Sequence, residues 1–173
     1  AYNINNINDT YKNVNLQYYY SDVDHPMSTK YRISSINPLQ DNTSQLTTTM
    51  QGVKLKNNFN IYNSKLLIGL DGSKREWDGR YYNTSTGLPL LAGNSKSIDN
   101  AITKNSAIFT KLSKSYAAFD VELGARYDDT TITNDTYQSN DYSGLNAHIL
   151  STYNFSKSNK IFLGFGQAYR VPD

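Results

Sequence analysis

Residues 116–128 read YAAFDVELGARYD, and this segment gives the clearest indication of the fold. From Ala117 onward apolar side chains take every second position, and after Ala118 polar or charged side chains, with one glycine, take the positions between them. A period of two is that of a β-strand with one apolar face and one face in water. The apolar positions are Ala117, Phe119, Val121, Leu123, Ala125 and Tyr127, and the others are Asp120, Glu122, Gly124, Arg126 and Asp128.

The same alternation recurs along the chain and predicts about seven strands. They cover residues 12–22, 44–57, 65–82, 98–112, 116–128, 140–155 and a last strand from 161, and only 106–112 is ambiguous in phase. Long polar links at 22–44, 82–98 and 130–140 alternate with short ones at 57–64, 113–115 and 156–159. This alternation is typical of a membrane β-barrel, which has long outside loops and tight periplasmic turns.

Composition favours the same class of protein. Aromatic residues make up 13% of the chain, and several lie near predicted strand ends, where a lipid–water interface favours amphipathic rings. These are Tyr18, Tyr20, Trp77, Tyr81, Tyr82, Tyr127, Tyr142 and Tyr153. The net charge of +2 is scattered, which argues against a nucleic-acid partner, and the absence of cysteine excludes disulfides and thiol catalysis.

Two other classes of protein compete with a barrel. A soluble, secreted β-domain that binds glycans would also show alternating strands and would use its Tyr and Asn side chains for sugar recognition. An enzyme is disfavoured because no catalytic arrangement emerges around His148, the histidine on a predicted wet face. Barrels of one bacterial chain use even strand numbers, so a count of seven indicates an incomplete barrel.

Three strings resemble recurrent strands of the TonB-dependent outer-membrane receptors. They are LLIGLD at 66–71, DVELGARYD at 120–128 and IFLGFGQAYRVPD at 161–173. The resemblance implies an all-β fold, an antiparallel transmembrane β-barrel segment of a larger, probably 22-stranded barrel in the outer membrane of a Gram-negative bacterium. Residues 1–173 are then expected to form a partial barrel without the plug domain, through which such receptors engage the TonB complex, and without the barrel ends.

The stretch 18–27, YYYSDVDHPM, is similar to the strand-to-loop passage of copper receptors within that family, in which Asp-His-x-Met supplies metal ligands. The resemblance implies that His25 and Met27 are metal ligands. A thioether favours Cu(I) and an imidazole accepts either copper state. Residues spaced by two project to one side of an extended backbone, and further ligands would have to come from the plug. The alternative is a loop histidine beside a methionine that contacts a neighbouring loop.

The expected function is uptake of a scarce nutrient, with copper the favoured cargo and no bond made or broken. No resident cofactor is expected, and the partners are outer-membrane lipid, the TonB complex and a small metal or metal-chelate ligand. Within the family, the rival is an iron-siderophore or haem receptor, which would need an aromatic or basic pocket in place of a soft ligand pair.

Overall fold

A computed structural model describes residues 1–28, 42–90, 95–136 and 139–171. The described residues form one sheet of eight strands, in which each strand pairs antiparallel with the next along the chain. The strands are β1 (Tyr2–Asn5), β2 (Tyr11–Ser28), β3 (Asn42–Ile61), β4 (Ser64–Asn83), β5 (Lys96–Tyr116), β6 (Phe119–Thr133), β7 (Asn140–Asn154) and β8 (Lys160–Gln167).

Register places the predicted apolar positions of neighbouring strands side by side. One continuous row runs across β2 to β7 through Leu16, Leu55, Leu70, Ile108, Tyr127 and Leu145. We call the side of the sheet that carries this row the apolar face, and the opposite side, which carries Lys54, Asp71, Arg126 and Asp128, the polar face. The phase of 106–112 is now assigned, because Ile108 lies on the apolar face and Phe109 on the polar face.

The sheet is a single layer. Among the described residues Ala107 is the one buried hydrophobic residue, while large side chains on the apolar face stay about half exposed, as Leu70 does at 52% and Ile108 at 53%. A β-sandwich would bury such side chains between two sheets. The described residues therefore lack the core that a small soluble β-domain requires.

The apolar band runs obliquely to the strands. The last aromatic residue of the band is Tyr20 on β2 and Tyr127 on β6. When the register is followed from Tyr127 across the sheet, it reaches β2 at Leu16, which is four residues before Tyr20. The boundary therefore moves by about one residue per strand. A tilt of about 35–45° produces such a shift, because strands lie about 4.8 Å apart and each residue advances about 3.3 Å.

The turns confirm the alternation of long and short links and move several predicted boundaries. Tyr62 and Asn63, both with positive φ, form a two-residue turn after β3, and Ala117 with Ala118 forms another after β5. Strand β6 thus begins at Phe119, not at Tyr116. The short first strand, β1, was not predicted, because four residues are too few to show a period.

Strand β2 is longer than the predicted 12–22. It continues to Ser28, because β3 pairs with it as far as Ser28 opposite Thr43. The described residues contain no helix long and apolar enough to cross a membrane.

Candidate functional site

The centre of the polar face is an ion network around Arg126 on β6. Its Nε lies 2.9 Å from both carboxylate oxygens of Asp128, and its Nη1 lies 3.2 Å from Oδ2 of Asp71 on β4. Asp71 also accepts from Lys54 Nζ at 3.2 Å and from the Tyr19 hydroxyl at 3.2 Å. The network therefore connects β2, β3, β4 and β6 through one guanidinium and one carboxylate.

Strand alternation explains why these groups meet. Arg126 and Asp128 are two residues apart on β6, and register sets Asp71 and Asp128 on either side of Ala107 in one row of the polar face. The Asp71 side chain is 9% exposed and that of Asp128 is 15% exposed. Carboxylates this well covered need charged partners, because an unpaired charge away from water is costly.

Several polar-face glycines lie under a ring from a neighbouring strand or, at Gly144, from the segment that follows β8. A Cβ on Gly52 would overlap the Tyr19 ring, and one on Gly124 would overlap the imidazole of His148. The Phe109 ring covers Gly69 in the same way, and the Tyr169 ring covers Gly144. These rings lie flat against the wall because the glycines below them have no side chain.

Beside the network lies a shallow cavity of about 410 Å³ on the polar face between β3 and β7. Its lining includes Lys54, Lys56, Phe109, Lys111, Arg126 and His148. We call it the basic cavity. Lys111 Nζ lies 3.0 Å from Glu122 Oε2, and His148 Nε2 lies 3.2 Å from Glu122 Oε1.

His25 and Met27 lie on the polar face of β2, near its long-link end. His25 pairs with Leu46 and Met27 with Ser44, and both ligand candidates project from the same face because they are two residues apart. Met27 is 54% exposed. Within the described residues there is no group of three or more His, Asp or Glu side chains that could hold a metal, so this wall offers only the pair.

The other histidine and methionine also lie on the polar face. Met50 on β3 lies opposite Ser21, and His148 on β7 lies opposite Gly124. Because Ser21 precedes His25 by four residues on β2, Met50 lies about 13 Å from His25 along the strand direction. His148 is much farther away, in the basic cavity.

Trp77 differs from the sequence prediction. The prediction placed its ring at the lipid interface, whereas register sets it opposite Thr48 on the polar face. The Arg75 guanidinium lies 4.2 Å from the centre of the Trp77 ring, which is a cation–π contact. The alternation of β4 could have revealed this, since Trp77 is an even number of residues from Asp71.

Acidic residues at the long-link ends of the strands take part in hydrogen bonds. Asp22 accepts from the Thr49 hydroxyl at 3.1 Å, and Asp24 accepts from the Gln45 amide. The Asp99 carboxylate accepts from Lys96 and from Thr136. The hydrogen bond with Lys96, followed by that with Thr136, lowers the pKa of Asp99, and the bond with Asp99 raises the pKa of Lys96.

Alternation along the sequence placed His25 and Met27 on one side of the chain but missed the ion network and the basic cavity, and the role of the pair as metal ligands stays a prediction. Arg126 and Asp71 are 55 residues apart, and nothing local in the sequence connects them. The sequence does show that the wet faces of β3 to β6 carry both positive and negative side chains. Once the strand order is known, this indicates that ion pairs form between strands.

The comparisons with known proteins agree with this geometry. A family model described as TonB dependent receptor-like, beta-barrel, matches residues 1–173. The chain belongs to the TonB-dependent receptor family and forms part of its β-barrel. None of the curated proteins matches it in sequence.

A solved structure with the same fold is that of "Copper transporter OprC". The two superpose with a TM-score of 0.78 at 23% sequence identity, over 99% of this chain and 29% of that chain. The chain thus spans under a third of the length of that relative. At this identity the match establishes the fold.

Proposed function

We propose that this chain is part of the wall of an outer-membrane active-transport receptor that is energised by TonB, with copper as its favoured cargo. In this assignment the apolar face contacts lipid and the polar face lines a water-filled interior. The exposed row from Leu16 to Leu145 supports it, because such a surface is stable in hydrocarbon and unfavourable in water. Family membership supports it as well.

The observation that supports copper as the cargo is the position of His25 and Met27 on the polar face. Their Cα atoms lie about 7 Å apart along β2, so an imidazole and a thioether can reach one ion between them. This donor pair suits Cu(I) better than hard cations, which prefer oxygen ligands. The fold match with a copper transporter is a reason to test copper first.

The proposed mechanism needs no covalent chemistry. Copper binds near the long-link end of β2, where the plug domain of the intact receptor supplies further ligands. Movement of the plug through its contact with the TonB complex then lets the ion pass along the polar face. This wall contributes binding and a polar path.

The test is calorimetric titration of the intact receptor with Cu(I). Replacing His25→Ala together with Met27→Ala is expected to weaken Cu(I) binding at least about tenfold, because each lost ligand removes a direct bond to the metal. The matched control is His148→Ala with Met50→Ala, which removes the same two side-chain types elsewhere on the polar face. Equal affinity in the first variant and the unaltered receptor would remove the copper assignment.

A second candidate is the receptor for an iron siderophore or haem. The basic cavity favours it, since it combines cationic side chains with the ring of Phe109. Titration of the same receptor with ferric chelates distinguishes the two. Tight ferric-chelate binding without Cu(I) binding would assign the cargo to this second class.

A further inference from the structure

The basic cavity presents positive charge, although acidic residues border it. Among its neighbouring carboxylates, Glu122 is 31% exposed and pairs with Lys111 and His148, whereas Asp71 and Asp128 are better covered, with side chains 9% and 15% exposed. The cations lie above them, with Lys54 at 30%, Arg126 at 33% and Lys111 at 46%. A ligand that approaches from the interior therefore meets the cationic groups of Lys54, Lys56 and Arg126, while the carboxylate of Glu122 is already paired with Lys111 and His148.

Lys56 is distinctive among these cations. Lys54 is paired with Asp71 and Lys111 with Glu122, whereas Lys56 has no hydrogen bond or ion pair within the part of the chain that the structure describes. Its residue is half-buried. An ammonium without a protein partner gains from an anionic oxygen, because charge-assisted hydrogen bonds are stronger than neutral ones.

The floor of the cavity is flat and apolar. Phe109 lies over Gly69, and the Arg126 guanidinium lies 5.7 Å from the centre of its ring. Leu67 extends the same floor. A cavity with an apolar base and cations around it suits a carboxylate on a small carbon skeleton better than a bare inorganic anion.

We propose that the basic cavity binds a carboxylate-bearing group, with Lys56 as its principal contact. Two sources share this chemistry: a small polycarboxylate in the interior, free or as a metal chelate, and a carboxylate side chain of another segment of the same receptor. The site is separate from His25 and Met27. Its occupancy therefore does not depend on whether His25 and Met27 bind copper.

The first measurement is calorimetric titration of the intact receptor with citrate at low salt. Lys56→Gln is expected to raise the Kd about tenfold or more, and Lys56→Arg to restore it, since the charge is what binds. Lys104→Gln is the matched control, because Lys104 has no ion pair among the described residues either and lies on the opposite face of the sheet. Equal affinity in Lys56→Gln and the unaltered receptor would overturn the proposal.

The second measurement distinguishes the two sources of the carboxylate. If the unaltered receptor does not bind citrate, a carboxylate of the receptor itself is expected to occupy the cavity. Lys56→Gln then lowers the midpoint of urea unfolding at low salt, the loss shrinks at high salt, and Lys104→Gln shows no loss. No citrate binding together with equal midpoints for both variants would also overturn the proposal. Cu(I) affinity, measured separately, does not affect either result.

Discussion

At the scale of single residues, Gly52 and Gly72 have opposite surroundings on neighbouring strands. A Cβ at Gly52 would overlap the Tyr19 ring and come within 2.6 Å of the Gly72 carbonyl oxygen, whereas a Cβ at Gly72 would meet nothing within 4 Å. The two positions thus separate the effect of space from the effect of backbone freedom.

Gly52→Ala is expected to destabilise the intact barrel by about 1–3 kcal/mol, because the Tyr19 ring and the backbone must move to admit the methyl group. Gly72→Ala serves as its control. It is expected to be neutral or to stabilise by up to about 1 kcal/mol, since alanine has less backbone freedom to lose on folding. Urea unfolding in phospholipid vesicles measures both changes, and equal losses would contradict the ring-over-glycine interpretation.

The ion network also belongs to the residue scale. Arg126 lies 2.8 Å from Asp128 through Nη2 and 3.2 Å from Asp71 through Nη1. Asn105 adds an amide that donates to Asp128 at 3.2 Å and to Thr130 at 2.8 Å. Because Asn105 adds β5 to the strands already joined by Tyr19, Lys54, Asp71 and Arg126, the network holds the register of β2 to β6 as well as balancing charge.

At the scale of elements, the two-residue turns define the short-link side of the sheet. Ala117 has φ of +46° and Ala118 does not have a positive φ, which is the pattern of a type II′ turn. Glycine normally takes the first position of such a turn, because an L side chain is crowded at positive φ. The turn after β3 has positive φ at both Tyr62 and Asn63, the pattern of a type I′ turn.

Ala117→Gly is expected to give a more stable receptor than Ala118→Gly by about 1 kcal/mol. At the first position the loss of Cβ relieves crowding, and at the second it adds only backbone freedom to the unfolded chain. The free energy of unfolding of each variant, obtained from the same vesicle titration, checks the difference. Identical values would show that the Ala117 backbone is not strained.

At the scale of the whole molecule, the intact receptor is expected to need detergent. Its apolar face stays exposed until lipid or detergent covers it, and a barrel that closes on itself leaves no strand edge unpaired. We also expect heat-modifiable migration in gel electrophoresis, because the closed barrel resists SDS until it is heated. A monodisperse receptor in detergent-free buffer would contradict both the barrel and its place in the membrane.

Much of the fold could be predicted from the sequence, because the period of two is local. The alternation along 116–128 assigned Phe119 and Tyr127 to one face and Arg126 to the other, and the structure confirms this assignment. The same alternation set His25 and Met27 on one side of the chain. Strand β1 was missed because four residues show no period, and the end of β2 and the start of β6 were missed because local patterns do not show where a partner strand stops pairing.

Periodicity within single strands was therefore enough to predict the strand content, the two faces and the side on which each candidate ligand lies. The pairing of strands was needed to show which polar groups meet, as Arg126 and Asp71 do, and that Phe109, in the segment of ambiguous phase, belongs to the polar face. The physical reason is that the faces follow from the geometry of one strand. The network, the basic cavity and the oblique apolar band depend on the hydrogen-bonded register between strands that are far apart in sequence.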